Sequence, residues 1–180
     1  MGYFPPYDNE DGIAVTITPW HRCSIGYELI GGGGGTLASN AWPVAAKAIY
    51  VPILVPRRIT AVKMFTLNGA TASGNQDVGI YDSQGNRLVS IGATAQAGIS
   101  AMQVHDTTDL IMEAGRYYMG LANSGTTGTY LSCTSQLAQV LGGYGVLNQA
   151  SAGTLPSTAT FATCSSAYLP MFGLTARTLT

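Results

Sequence analysis

From residue 46 onward the chain is a succession of short segments in which side chains alternate with a period of two, the signature of strands. AIYVPILV carries β-branched and aromatic residues and is bounded by Pro56. RITAVKMFTL places Ile59, Ala61, Lys63 and Phe65 on one side and Thr60, Val62, Met64 and Thr66 on the other. Its second half is apolar on both sides, as expected of a strand lying between two layers. NGATASGN is a turn cluster. QDVGIYDSQGNRLVSIG reads as a hairpin: Val78 and Ile80 face one way, Asp77, Gly79 and Tyr81 the other, and Asp82 to Asn86 make the turn, with Gly85 available for positive φ.

MQVHDTTDLIMEAGRYYMGLANSG holds two more strands about the turn Glu113-Ala114-Gly115. In the second, Tyr117, Met119 and Leu121 share a face, and Tyr118, Gly120 and Ala122 share the opposite one. TGTYLSCT, TATFATCSS and LPMFGLTART are strand-like as well, while QLAQVLGGYG fits a short helix or a strand. Nowhere does an apolar 3.6-residue period persist for three turns, so no long amphipathic helix is expected. Short strands spaced by roughly 8 to 12 residues predict an all-β fold, a β-sandwich with jelly-roll topology.

Residues 1–45 read differently. Pro5, Pro6 and an acidic DNED run precede an expected strand from Ile13 to Thr18, and five glycines, Gly31 to Gly35, precede TLASNAWP. A run of glycines resists regular structure because each loses so much backbone entropy on ordering. The expected organisation is an extended N-terminal arm over 1–45 with a poly-Gly hinge at 31–35, followed by a β-sandwich domain over 46–180. The competing reading is a long loop inside one continuous domain.

Composition narrows the function. Hydrophobic residues make up 46% of the chain, enough for a core, whereas charged residues make up 9% and the net charge is −1. The 8 Lys and Arg are scattered, which leaves no footprint for nucleic acid. No apolar run is long enough for a membrane-spanning helix, and MGYFPPYDNEDG lacks the basic start and apolar block of a secretory signal. A weakly charged surface suits a subunit covered by its neighbours. Cys23, Cys133 and Cys164 are widely spaced with no CxxC pair, so free buried thiols are expected and a zinc site is not.

The sequence nominates no catalytic, cofactor-binding or metal-binding residue: it contains no GxSxG, P-loop, HExxH, EF-hand or strand-linked GxGxxG pattern. His105, beside Asp106 and Asp109, reads as a solvated turn histidine, and Asp82 as a turn-former. The aromatics carry more information. Tyr3, Phe4, Trp20 and Trp42 lie in the arm and are candidates for docking onto a partner. Tyr118, Tyr130 and Tyr144 are candidates for stacking against a glycan. The alternative is that these rings simply cover one end of the sandwich.

Five short pieces carry a resemblance: Tyr50 to Pro56 with its "VP" step, the "IT-V" strand Ile59 to Val62, "GIYD" from Gly79 to Asp82, "GRYY-GLA-SG" from Gly115 to Gly125, and the closing "LP-FGL" strand Leu169 to Leu174. Over about residues 46–175 the chain resembles jelly-roll modules of tailed-bacteriophage virion proteins. The resemblance implies a non-enzymatic capsid-decoration, head-appendage or tail-fibre component that docks through its N-terminal arm. It also implies an oligomer, often a trimer, partnered by other virion proteins and assembled in the host cytoplasm. A receptor-binding tip that holds a host surface glycan is the alternative role. The motifs specify strands and turns rather than a ligand, so the choice between capsid and tail stays open.

Overall fold

A computed structural model describes residues 37–178 except 56, 134–137, 144 and 151. The described chain is nearly all β. Its strands are β1 (Ala38–Ala41), β2 (Lys47–Val55), β3 (Ile59–Leu67), β4 (Asn75–Tyr81), β5 (Arg87–Ser90), β6 (Thr94–Ala95), β7 (Met102–Met112), β8 (Gly115–Asn123) and β9 (Thr129–Cys133). After a six-residue helix α1 (Ala138–Gly143) come β10 (Leu147–Gln149), β11 (Ala162–Thr163), β12 (Leu169–Pro170) and β13 (Phe172–Thr178).

All pairings are antiparallel. One sheet has the order β11-β10-β2-β8-β4-β5, with β6 also on β4, and two smaller sheets have the orders β1-β9-β12 and β13-β3-β7. The smaller two run into each other: Met171, between β12 and β13, donates its amide to Leu131 at 2.8 Å and accepts from the Leu67 amide at 3.0 Å. Asn68, just past β3, bridges Tyr130 of β9. One apolar core lies between the large sheet and this composite layer. Ile49, Val51, Val78, Ile80, Met119 and Leu121 come from the first, and Ile59, Met64, Met112 and Phe172 from the second. Burying such residues supplies the main driving force, about 1.5–3 kcal/mol for each large side chain.

Most of the strands expected from the alternation are present, as is the 82–86 turn. There the Asp82 carboxylate accepts from the Gln84 and Asn86 amides at 2.9 and 2.8 Å, and Gly85 takes φ of 88°. The Asn86 side-chain amide, which donates to Asp82 Oδ2 at 2.9 Å, and those backbone bonds hold the Asp82 carboxyl below its usual range. Cys133 and Cys164 are buried thiols outside any disulfide, and QLAQVLGGYG contains the short helix.

Four expectations are corrected. Part of the expected arm belongs to the β-structure: Ala38–Ala41 pairs with β9 and Trp42 is core, so 38–42 are not free for docking. In β3 the alternation breaks at Val62, an extra residue relative to β13, which pairs Lys63 with Thr175 and Ala61 with Ala176. Ile59, Ala61 and Met64 therefore share the core side, which strict alternation forbids. TATFATCSS contributes only Ala162–Thr163 to a sheet. His105 is not in a turn but inside β7, opposite Met64 and buried.

His105 belongs to a polar network that crosses the sandwich. The Gly125 amide donates to Asn123 Oδ1 (2.9 Å), Asn123 Nδ2 to the Tyr130 hydroxyl (2.6 Å), and that hydroxyl to Gln76 Oε1 (3.0 Å). Gln76 Nε2 then donates to Gln103 Oε1 at 2.7 Å and faces His105 Nε2 at 3.3 Å. With a donor facing it, His105 Nε2 is the acceptor, so the ring is the neutral Nδ1–H tautomer. Gln103 Oε1 also accepts from Asn68 Nδ2 at 3.1 Å and the Ala97 amide at 2.8 Å.

Burial holds the His105 pKa below its ordinary value. A histidine kept neutral in the fold stabilises it fully above its unfolded pKa, and that contribution is lost as pH falls below it. Stability in urea should therefore fall as pH drops from about 6.5 toward 5, and His105→Gln should remove most of that slope. An unchanged slope in the variant would show that the imidazole is not the titrating group.

Candidate functional site

The outer face of the large sheet is where the chain presents chemistry. Along β8 the outward residues are Arg116, Tyr118, Gly120 and Ala122, and along β2 they are Ala48, Tyr50, Pro52 and Leu54. At one end these residues are small, and a strap made of residues 152–161 lies over them. Ala152 and Leu155 pack there with Ala48, Tyr50, Tyr81 and Ala122. The close approach depends on Gly79 and Gly120, which face each other across β4 and β8. A Cβ on Gly79 would sit 2.7 Å from the Val89 carbonyl, and one on Gly120 would sit 3.0 Å from the Tyr50 ring.

Polar anchors hold the strap. Asp77 Oδ2 accepts from the Leu155 amide at 3.0 Å, the Arg87 guanidinium donates to the Leu155 carbonyl, and the Tyr81 hydroxyl donates to the Pro156 carbonyl at 2.7 Å. Backbone bonds link Arg87 to Ser157 and Ala159 to Gly85, each at 2.8 Å. The Tyr50 hydroxyl donates to Gln149 Oε1, which also takes the Thr160 amide, both at 2.9 Å. Burial raises the Tyr50 phenol to about 12. Asp77 is fully buried, its Oδ1 has no partner, and burial pushes its carboxyl above the usual range against the pull of Leu155 and Arg87.

From the strap a row of rings runs out to solvent. Tyr81 meets Tyr50 edge-on at 5.2 Å, Tyr50 meets Phe161 at 5.1 Å, and Phe161 tilts against Tyr118 at 4.7 Å. The Arg116 guanidinium lies 5.7 Å from the Tyr118 ring centre. Leu54, opposite Arg116 on β2, is 76% exposed. Arg116 makes no ion pair with a described residue, whereas Arg58 pairs with Glu113. A half-exposed tyrosine backed by a phenylalanine and flanked by an unpaired guanidinium offers a flat stacking surface beside a free hydrogen-bond donor. Among the described residues no three His, Cys, Asp or Glu side chains converge to hold a metal ion.

Of the residues singled out in the sequence, Tyr118 alone lies on this surface. Tyr130 is completely buried and its hydroxyl is committed to Asn123 and Gln76, so it cannot stack on a glycan. Trp42 is buried edge-on against Tyr130 at 5.4 Å and Tyr168 at 5.6 Å, which corrects its assignment as a docking residue. The cause is the β1–β9 pairing, which turns the chain after Ala41 into the core. Tyr3, Phe4, Trp20 and Tyr144 lie outside the described residues. Sequence reasoning missed Arg116, although a period of two places it on the face of Tyr118. It also missed Phe161, whose irregular segment gives no such signal.

Asp77→Ala leaves the buried Leu155 amide without its acceptor and should cost about 1–3 kcal/mol, read by urea unfolding, with faster proteolysis at 152–161. Asp77→Asn keeps an acceptor and removes a buried charge, so it should match or exceed the native protein at neutral pH. The advantage should shrink as pH falls, because a carboxyl with a raised folded pKa favours the fold once protonated. Equal loss in both variants would rule out this account of the anchor.

The surface has to be interpreted on its own chemistry, because no protein-family model matches the chain and no curated protein matches it.

Proposed function

We propose that this chain serves a bacteriophage particle as a structural protein, a jelly-roll subunit that attaches through residues preceding its first strand. The observation that carries the reading is strand order. Taking β1, β2, β3, β4, β5, β7, β8 and β9 as strands one to eight, the large sheet contains 2-7-4-5 and the composite layer contains 1-8-3-6. That is the order two Greek keys produce in a jelly roll, a fold frequent in viral capsids and lectins. The segment 169–178 enters as an additional strand between the eighth and third. The low charge and the five strand-and-turn motifs support the same reading. Attachment rests on surface burial: a docked arm that buries on the order of 1,000 Å² or more holds a stable contact.

Deletion of residues 1–35 leaves every described strand in place and tests this directly. In cells assembling the particle, the full chain should co-sediment with virions while the truncated chain stays folded and soluble. A truncated chain that still co-sediments would reject the arm as the attachment element. A full chain absent from purified particles would reject the virion role itself.

The Tyr118–Phe161–Arg116 surface favours a second reading, a host-glycan-binding tip, which is compatible with the first. On a glycan array the chain should then retain a surface sugar, and Tyr118→Ala should weaken retention roughly tenfold, the worth of one stacked ring. No glycan above background would dismiss this role.

A further inference from the structure

A different part of the molecule holds a buried amine that pairs with none of the described carboxylates. Lys47 opens β2 on the core side shared with Ile49, and it is 7% exposed. Its Nζ donates to two hydroxyls, Ser165 Oγ at 3.2 Å and Ser166 Oγ at 3.3 Å. Burial lowers its pKa from the ordinary 10.5, and the neighbouring Cys164 opposes that shift. Lysines desolvated in this way are the ones that serve as bases.

The serines are held while one of them faces water. Ser165 is exposed and Ser166 half-buried. The Asn148 side-chain amide lies beside Ser165, 2.8 Å from its backbone nitrogen and 3.4 Å from its hydroxyl. The Cys164 thiol donates to the Ser166 carbonyl at 3.4 Å. An exposed hydroxyl with a desolvated amine in hydrogen-bond reach is the core of a nucleophilic site.

We propose that Ser165 and Lys47 form an acyl-transfer site for a small ester, with Ser165 Oγ as nucleophile, Lys47 Nζ as general base and Ser166 as the positioning hydroxyl. Ser165 Oγ bonds to the acyl carbon as its proton passes to Lys47 Nζ in its unprotonated form. The acyl–oxygen bond to the leaving alcohol then breaks, and Lys47 returns the proton to that oxygen. Acyl-Ser165 remains until water, giving a proton to the same amine, adds to the acyl carbon; the acyl–Oγ bond then breaks, Lys47 returns the proton to Ser165 Oγ and the acid leaves. Ser166 holds Nζ in line. Nothing in this chemistry depends on particle attachment or on the Tyr118 surface.

The test treats the full chain with a fluorophosphonate probe, followed by intact mass and peptide mapping. One adduct per chain on Ser165 is expected, absent in Ser165→Ala, with a labelling rate that climbs with pH to a midpoint below 10.5. Lys47→Arg, checked for folding by circular dichroism, should label on the order of 100-fold more slowly, as loss of a general base requires. Ser166→Ala should keep the adduct site and slow it less. No adduct on Ser165, or undiminished labelling in a folded Lys47→Arg, would overturn the proposal. If that variant does not fold, a labelling rate independent of pH in the native chain would overturn it as well.

Discussion

The fold depends on a chain of hydrogen bonds whose direction is set from both ends by backbone amides. At one end the Gly125 amide can only donate, so Asn123 must present Oδ1 to it and Nδ2 to Tyr130. The Tyr130 hydroxyl, having accepted, donates to Gln76, whose Nε2 then donates onward to Gln103. At the other end the Ala97 amide fixes the Gln103 oxygen as acceptor. The path passes from β8 to β9, back to β4 and across to β7, so it crosses between the two layers at each step. An apolar core sets how tightly two sheets pack but says little about register, because one leucine slides past another at low cost. A buried amide displaced by one residue loses partners worth about 1–3 kcal/mol each. The network thus locks the sandwich in register, and neutral members do so without the desolvation cost of an ion pair.

The large sheet is buried on both faces, which is unusual for an antiparallel sheet with solvent at hand. Its inner face meets the composite layer, and its outer face carries the strap. Small residues at Ala48, Gly79, Gly120 and Ala122 make room for the strap, and tyrosines 50 and 81 fill the space beside it. Beyond the strap the same face turns into the exposed row of Tyr118, Arg116 and Leu54. Core-like packing and an exposed aromatic row therefore share one sheet face, and the boundary between them is the end of the strap at Phe161. At the opposite layer, β7 is an edge strand of its sheet. Thr107 to Asp109 bulge there opposite Val62, and two aspartates add charge, devices that discourage pairing with another chain.

Much of this was legible in the sequence because strands announce themselves locally. The alternation in GRYYMGLA and the Asp82–Gly85 turn each follow from residues a few positions apart. The failures have a common cause. The Val62 bulge is set by β13, more than a hundred positions away, and nothing in RITAVKMFTL marks it. Trp42 and Tyr130 look like surface aromatics because their partners come from distant strands. His105 looked solvated because Asp106 and Asp109 follow it closely, yet in a strand the next residue points away from it, and Gln76 is what it meets. The surface formed by Tyr118, Arg116 and Phe161 was half legible: two members share a strand face, and the third arrives from an irregular segment.

Asp77 shows how that third member is brought in. An isolated carboxylate deep in a sheet is costly, and one of its oxygens has no partner. A structure built for stability alone would place an asparagine or an apolar residue there. What the carboxylate does is accept from the Leu155 amide, which together with Arg87 and Tyr81 fixes the strap midway between Ala152 and Phe161. The main core does not need the strap, since its cluster is complete without residues 152–161. The strap is therefore a unit of lower local stability, attached to a rigid sheet by a handful of polar bonds. The ring of Phe161 stands against Tyr118 only while those bonds hold, so the geometry of the exposed surface is set from inside the sheet, by a group no ligand would touch.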